Sequence, residues 1–102
     1  MIQHIVLCRF REDVSSSEIA AIWQELDRLR DVIPGMGRAT FGENTSPEAL
    51  GRGHGHGFVI EFDTAMARDA YLVHPKHKVA GSRLVAACEG GVDGITVVDI
   101  GG

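Results

Sequence analysis

Three features that would point to a particular class of partner are missing from this chain of 102 residues. Lys and Arg number 10 against 14 Asp and Glu, the net charge is −4, and no cluster of basic residues occurs. A nucleic-acid-binding surface needs such a cluster, so we expect no nucleic-acid partner. No apolar run approaches the roughly 18 residues of a membrane span. Polar residues interrupt segment 1–10, which argues against a secretory signal, and the sequence therefore predicts a cytoplasmic protein with no membrane partner.

Cysteine is also scarce. Cys8 and Cys88 are the whole set, and their separation matches neither a metal-binding nor a redox motif. We interpret them as two reduced residues that pack in the core. The length predicts one domain, residues 1–102. A chain this short leaves much of its surface in water, so dimerisation is a natural way to bury more.

Hydrophobic periodicity predicts four strands and two helices. Ser15 and Glu18 fit a capping box at the start of the first helix, and the second helix is broken at His74 and Pro75. The order β-α-β-β-α-β predicts an α+β ferredoxin-like fold, a four-stranded antiparallel sheet with both helices on one face. The predicted strands are 2–10, 37–43, 56–62 and 92–100. The predicted helices are 16–33 and 65–73, and a new helical piece is predicted to start at Pro75 and to run to about residue 88.

The first strand is apolar on both faces. His4, Val6 and Cys8 share one face, and Ile5 and Leu7 lie on the other. Two helices can cover only one face of the sheet, so we expect a second copy of the chain to cover the open face, giving a barrel of two sheets. We expect His4 to point into that barrel.

Several short segments form a recognisable set. The most specific is Tyr71 followed by a His-Pro-x-His turn that ends at His77, and the next is the opening strand with its early His4. Further segments are Ile-Pro-Gly-Met at 33–36, Gly-Glu-Asn at 42–44, His56 six residues before Phe62, and Val-Val-Asp at 97–99. Together they resemble the Dabb family, the stress-responsive dimeric α/β-barrel domain, along nearly the whole chain. The resemblance implies two ferredoxin-like subunits whose sheets form one barrel.

Members of that family include plant stress proteins and a plant polyketide cyclase, which closes a linear tetraketide by an aldol reaction without metal or cofactor. The resemblance implies that Tyr71 and His77 match the catalytic pair of the cyclase, and that His4 and His56 match two further histidines of its pocket. This chain departs from the cyclase at Leu26, where the cyclase has a second pocket tyrosine. Some relatives hold a hard cation on backbone carbonyls, and the resemblance places that site at Arg30, Ile33 and Met36.

The residue types at Tyr71 and His77 suit proton transfer. An imidazole with an ordinary pKa near ~6.5 can take a proton next to a carbonyl, and a phenol can donate to the oxygen where negative charge develops. A structural explanation stays open, because a histidine can also cap the helix before the proline and pack on the sheet. His4 and His56 are expected to share one cavity on two adjacent strands, although either can be a core histidine.

The glycine-rich segment 51–57 carries His54 and His56 on one face. We interpret it as a flexible connection over the entrance of the barrel, with His54 exposed. It lacks the lysine and the strand-to-helix context of a phosphate-binding loop, and only the number of histidines speaks for a zinc site. We therefore predict no metal and no cofactor.

Three functions stay open. The first is a cofactor-free acid/base enzyme for aldol cyclisation, enolisation or isomerisation of a small molecule. In that enzyme His77 is the base, Tyr71 is the oxyanion donor, and His4 and His56 bind the substrate. The second is a non-enzymatic, thermally stable stress-response or ligand-binding dimer. The third is a haem- or oxygen-handling barrel resembling a monooxygenase.

Overall fold

The computed structural model describes residues 1–101, so the predicted domain of residues 1–102 extends one residue beyond them. Within this range the predicted order of strands and helices is confirmed, including the predicted break of the second helical region at His74 and Pro75. The strands are β1 (Ile2–Cys8), β2 (Met36–Glu43), β3 (His56–Phe62) and β4 (Ile95–Gly101), and the helices are α1 (Ser16–Asp27), α2 (Ala65–Val73) and α3 (Pro75–Ala87).

The four strands form one sheet in the order β2-β3-β1-β4. Each neighbouring pair is antiparallel, and β1 and β3 are the central strands, as the ferredoxin-like arrangement requires. The α+β prediction is therefore confirmed. Among residues 1–101, none of the helices combines the length and the apolar character needed to cross a lipid bilayer.

Three predicted boundaries were wrong. β1 ends at Cys8, and Phe10 forms only an isolated bridge with Cys88. β4 begins at Ile95 instead of residue 92, because Gly91–Gly94 forms a 3-10 turn. Gly90 and Gly91 enter that turn with φ of 72° and 65°, a conformation that glycine adopts without strain. The first helix becomes a 3-10 turn after Asp27.

Side-chain caps begin each helix. The Ser15 hydroxyl accepts a hydrogen bond from the Glu18 amide at 3.2 Å, which confirms the predicted cap. Thr64 caps α2 through the Ala67 amide at 3.1 Å. His74 caps α3, because its Nδ1 accepts from the Lys76 amide at 3.1 Å. The structural explanation of the His-Pro turn is therefore confirmed for His74.

The core lies between one face of the sheet and the three helices. Along β1, His4, Val6 and Cys8 are buried there, whereas Leu7 on the opposite face is 40% exposed. The expectation that His4 points into a barrel between two sheets was wrong, since the helices cover its face. The largest side chains of this core with almost no exposure are Tyr71, Phe62, Leu26 and Ile60.

Candidate functional site

Tyr71, His77 and His4 form a cluster between the sheet and the helices. The ring centroids of Tyr71 and His77 are 4.3 Å apart, and those of His4 and Tyr71 are 5.8 Å apart with the rings edge to face. The ring of Phe62 packs against both, with its centroid 5.0 Å from that of Tyr71 and 6.1 Å from that of His4. Three of the four predicted site residues are therefore in contact.

Two charged residues, Asp99 and Arg68, hold the ring of His4 in place. Nδ1 of His4 donates to Oδ1 of Asp99 at 2.7 Å, and the other carboxylate oxygen of Asp99 accepts from Arg68 at 2.6 Å. Arg68 also contacts Asp69 at 2.8 Å. A carboxylate can only accept, so His4 carries its proton on Nδ1, and Nε2 is the nitrogen left for another partner.

The break between α2 and α3 positions the other two rings. Tyr71 lies in the last turn of α2, and His77 lies in the first turn of α3. Proline at position 75 stops α2 and starts α3, so the chain turns between the two residues and their rings meet. Gly81 lies one turn beyond His77, and a Cβ there would be 3.8 Å from the ring.

Burial sets the protonation state of both rings. It lowers the pKa of His77 below the ordinary histidine value, and the Leu72 carbonyl opposes this shift only in part. Burial raises the pKa of Tyr71 far above the ordinary tyrosine value. At neutral pH, His77 is therefore a neutral base and Tyr71 is a protonated donor.

The hydrogen bonds of Asp99 keep its carboxyl group in the charged form. Burial acts to raise its pKa, but the hydrogen bonds from Arg68 and His4 outweigh burial and lower the pKa below the usual aspartate range. Asp99 is therefore ionised at neutral pH. Its negative charge holds the Nδ1–H form of His4 in place.

One ring nitrogen of His77, Nδ1, is buried without a hydrogen-bond partner in residues 1–101. His77 also lines a groove of about 610 Å³ on the outer surface of α2 and α3, together with Leu72 and Gly81. His77 is thus the member of the cluster that a molecule entering from that groove meets.

His56 lies away from this cluster. It is opposite Cys8 in the β1–β3 ladder, whereas His4 is opposite Ile60. Four residues along a strand correspond to about 13 Å, so the two histidines are not in contact, and a cavity shared by them stays a prediction. The His56 ring contacts Phe10 with centroids 5.1 Å apart. A second aromatic cluster continues from Phe10 through Trp23, Phe41 and Phe58.

His54 is tethered instead of exposed. Its Nε2 is 2.8 Å from the Thr96 hydroxyl on β4, and its amide donates to the Gly51 carbonyl at 2.9 Å. Thr96 pairs with Leu7 and shares the open face of the sheet, so the His54 side chain reaches that face. A pocket of about 420 Å³ opens there, and its lining includes Ile5, Leu7, His54 and His56.

The residues considered for metal binding give no clustered site. Among residues 1–101, no group of three or more His, Cys, Asp or Glu side chains is arranged to hold an ion. At the backbone positions implied by the resemblance, the Ile33 carbonyl accepts from the Met36 amide at 3.2 Å. The side chain of Arg30 donates to the Gly37 carbonyl at 2.8 Å.

Asp99 and Arg68 were missed as site residues from the sequence. The signal for Asp99 is weak, because a carboxylate on a β-branched strand also suits a solvent-exposed edge. Only the register, which places Asp99 directly opposite His4, gives the carboxylate a role. Arg68 carries no signal at all, since an arginine on a helix is ordinary.

The fold and the cluster define a ferredoxin-like α+β domain with a buried His-Tyr-His contact between the sheet and the helices. The chain belongs to the stress responsive A/B barrel domain family, Dabb, whose match extends over residues 2–101. The resemblance noted from the sequence is thereby confirmed.

Relatives of known structure or description agree with this placement. An Arabidopsis thaliana protein described as a stress-response A/B barrel domain-containing protein is 26% identical over 96% of this chain and 86% of its own length. A dimeric ferredoxin-like protein of unknown function from Jannaschia sp. CCS1 is 35% identical, covers 99% of this chain and 98% of its own, and superposes with a TM-score of 0.91. A hydroxynitrile lyase from Passiflora edulis shares the fold, with 22% identity, a TM-score of 0.84, and coverage of 97% and 90%.

Proposed function

We propose that this protein is a homodimeric barrel that binds a small carbonyl compound beside His77 and moves a proton on it without a cofactor. The observation that carries the proposal is the contact of Tyr71 and His77, with ring centroids 4.3 Å apart. Nδ1 of His77 is buried in this contact without a hydrogen-bond partner in residues 1–101. Such an unpaired group costs stability, and its occurrence beside a tyrosine ring favours a functional role over a packing role.

In the proposed reaction, His77 takes a proton from the carbon next to the carbonyl group. Tyr71 donates a hydrogen bond to the carbonyl oxygen as negative charge develops there. The enolate is then either reprotonated, which gives enolisation or isomerisation, or attacks a second carbonyl of the same molecule, which gives aldol closure. His4, oriented by Asp99, supports Tyr71 from the sheet side. His56 stays a predicted substrate-binding residue, and the proposal does not depend on it.

The homodimer is proposed to form through the open face of the sheet. Leu7, Val98 and Ile100 are 40%, 48% and 55% exposed on that face, which is unusual for a strand surface that solvent alone covers. The Jannaschia relative, 35% identical, is described as dimeric. The two free thiols, Cys8 and Cys88, are in keeping with the predicted cytoplasmic location.

Proton exchange tests the proposed chemistry without knowledge of the natural substrate. A panel of small ketones and β-keto acids in deuterated water is followed by proton NMR, with and without the protein. We expect faster exchange of the protons next to the carbonyl, and a loss of at least about a hundredfold in His77→Asn. His74→Asn is the matched control, because asparagine also caps helices, and it should keep the wild-type rate. Full activity in His77→Asn would remove His77 from the role of base.

A non-enzymatic ligand-binding or stress-response dimer is the second candidate. It is favoured by the burial of Tyr71 and His4, which are only 1% and 4% exposed and leave His77 as the accessible member. This alternative expects no accelerated exchange across the whole panel. It also expects a dimer whose melting temperature is high and is unchanged by His77→Asn.

A further inference from the structure

The fold brings Cys8 and Cys88 together although they lie near opposite ends of the sequence. Cys8 closes β1, and Cys88 directly follows α3. Phe10, two residues beyond Cys8, forms an antiparallel bridge with Cys88, so both cysteine side chains lie on the helix-covered side of the sheet. They are 0% and 3% exposed and belong to the same buried core cluster.

The two thiols are chemically different. A hydrogen bond from Cys8 lowers the pKa of Cys88 against the opposing effect of burial, and the Arg9 amide and the Arg11 charge add to the lowering. The same hydrogen bond and burial raise the pKa of Cys8. Cys88 is therefore the more acidic thiol of the pair and the one that ionises first, which is the division of roles that favours disulfide formation.

We propose that Cys8 and Cys88 are an oxidative modification site that closes to an intramolecular disulfide when the protein meets a peroxide. The Cys88 thiol loses its proton, the thiolate attacks one peroxide oxygen and the O–O bond breaks, and the departing hydroxide takes up that proton and leaves as water. The sulfur of Cys8 then attacks the sulfenic acid at Cys88, the S–O bond breaks, and the Cys8 proton and the hydroxyl leave as a second water. The two thiols lose two electrons, which reduce the peroxide.

This site is separate from the acid/base cluster. Cys8 is four residues along β1 from His4, which is about 13 Å, and the function proposed above does not involve either thiol. The disulfide joins the end of β1 to the end of α3, so it closes most of the chain into one loop. Cross-links over long loops restrict the unfolded chain most strongly.

Peptide mapping of the oxidised protein tests the proposal directly. Folded wild-type protein is treated with hydrogen peroxide, free thiols are blocked, and trypsin is applied without reductant. We expect mass spectrometry to find peptide 1–9 joined to peptide 84–102, with the loss of two hydrogens, and dithiothreitol to separate them. We also expect the oxidised chain to melt at least about 5 °C higher than the reduced chain.

Single variants separate the roles of the two thiols. Cys8→Ser should accumulate a sulfenic acid at Cys88 that dimedone traps, and Cys88→Ser should leave Cys8 unmodified under the same treatment. Persistence of two free thiols in folded wild type would overturn the proposal, and so would cross-links between chains or over-oxidation without the 1–9 to 84–102 link. The wild-type map stands even where a variant fails to fold.

Discussion

Asp99 accepts a hydrogen bond from Nδ1 of His4 at 2.7 Å, and the two residues lie directly opposite each other on β1 and β4. His4 is 4% exposed, so this carboxylate satisfies a donor that water cannot reach. Arg68 holds the second oxygen of the same carboxylate at 2.6 Å. These hydrogen bonds connect the buried imidazole of His4 through Asp99, on the edge strand β4, to Arg68 on α2.

Removing that carboxylate should destabilise the fold more than removing its neighbour. In Asp99→Ala the buried Nδ1–H of His4 loses its acceptor, and we expect a loss of about 1–3 kcal/mol in the free energy of unfolding. Asp69→Ala is the matched control, because Asp69 also pairs with Arg68 but its side chain is 66% exposed and does not touch His4. We expect a change within about 0.5 kcal/mol for it in urea denaturation. Equal losses in the two variants would contradict the assigned role of Asp99.

Tyr71→Phe should separate chemistry from stability. Phenylalanine keeps the ring that fills this site, so the removal of the hydroxyl should change the free energy of unfolding by less than about 0.5 kcal/mol. On the proposed mechanism, the rate of proton exchange should nevertheless fall by about a hundredfold, because the oxyanion donor is lost. Tyr71→Ala serves as the comparison and should cost about 3–5 kcal/mol through the cavity it leaves. A Phe variant with an unchanged exchange rate would exclude Tyr71 from catalysis.

The lowered pKa of His77 gives a pH dependence with a definite sign. The unfolded chain binds a proton at His77 near pH 6.5 and the folded chain only at lower pH, so this residue's contribution to stability is complete above about pH 6.5 and is lost as the pH falls below it. Proposed activity should follow the same direction, with its acid limb below about pH 6.5. A proton NMR titration measures the pKa of His77 in the folded protein, and the His77 signal is assigned by comparison with His77→Asn. A His77 signal that titrates at or above pH 6.5 would contradict the expectation.

A charge on the open face should prevent dimerisation. Val98 lies on that face beside Ile5, its partner across the ladder, and Val98→Asp would bury an unpaired carboxylate between two sheets. Val79→Asp is the matched control, since Val79 is 59% exposed on the helix α3, on the other side of the molecule. In light scattering coupled to gel filtration, we expect Val98→Asp to elute as a monomer and Val79→Asp as a dimer. Monomeric wild type, or dimeric Val98→Asp, would refute the proposed interface.

His56→Ala tests the one predicted site residue that lies apart from the cluster. Its ring contacts Phe10 and not Tyr71 or His77, so we expect the maximal exchange rate to stay within about twofold of wild type. If the substrate is long enough to reach from His77 to His56, the variant should instead raise KM and leave kcat unchanged. A collapse of kcat would show that His56 takes part in the chemistry after all.

Much of the architecture followed from local signals. The capping serine at position 15, the proline at 75 and the alternation of β3 each act over a few residues, so the order of elements and the open apolar face were predictable. The boundary of β4 was not, because two glycines with positive φ insert a 3-10 turn before Ile95. Backbone freedom of this kind leaves no periodic pattern to detect.

The residue types by themselves determined that a tyrosine and a histidine flank a helix break, since the proline at position 75 forces the chain to turn between Tyr71 and His77. They also determined the amphipathic pattern that builds the sheet and its helix layer. Only the tertiary structure decided which groups meet. Strand register, set by contacts across the whole sheet, placed Asp99 opposite His4 and His56 about 13 Å along the strand from His4. The bridge between Phe10 and Cys88 brought the two cysteines to the same side of the sheet. Such pairings depend on contacts between residues far apart in the chain, so no short stretch of sequence contains them.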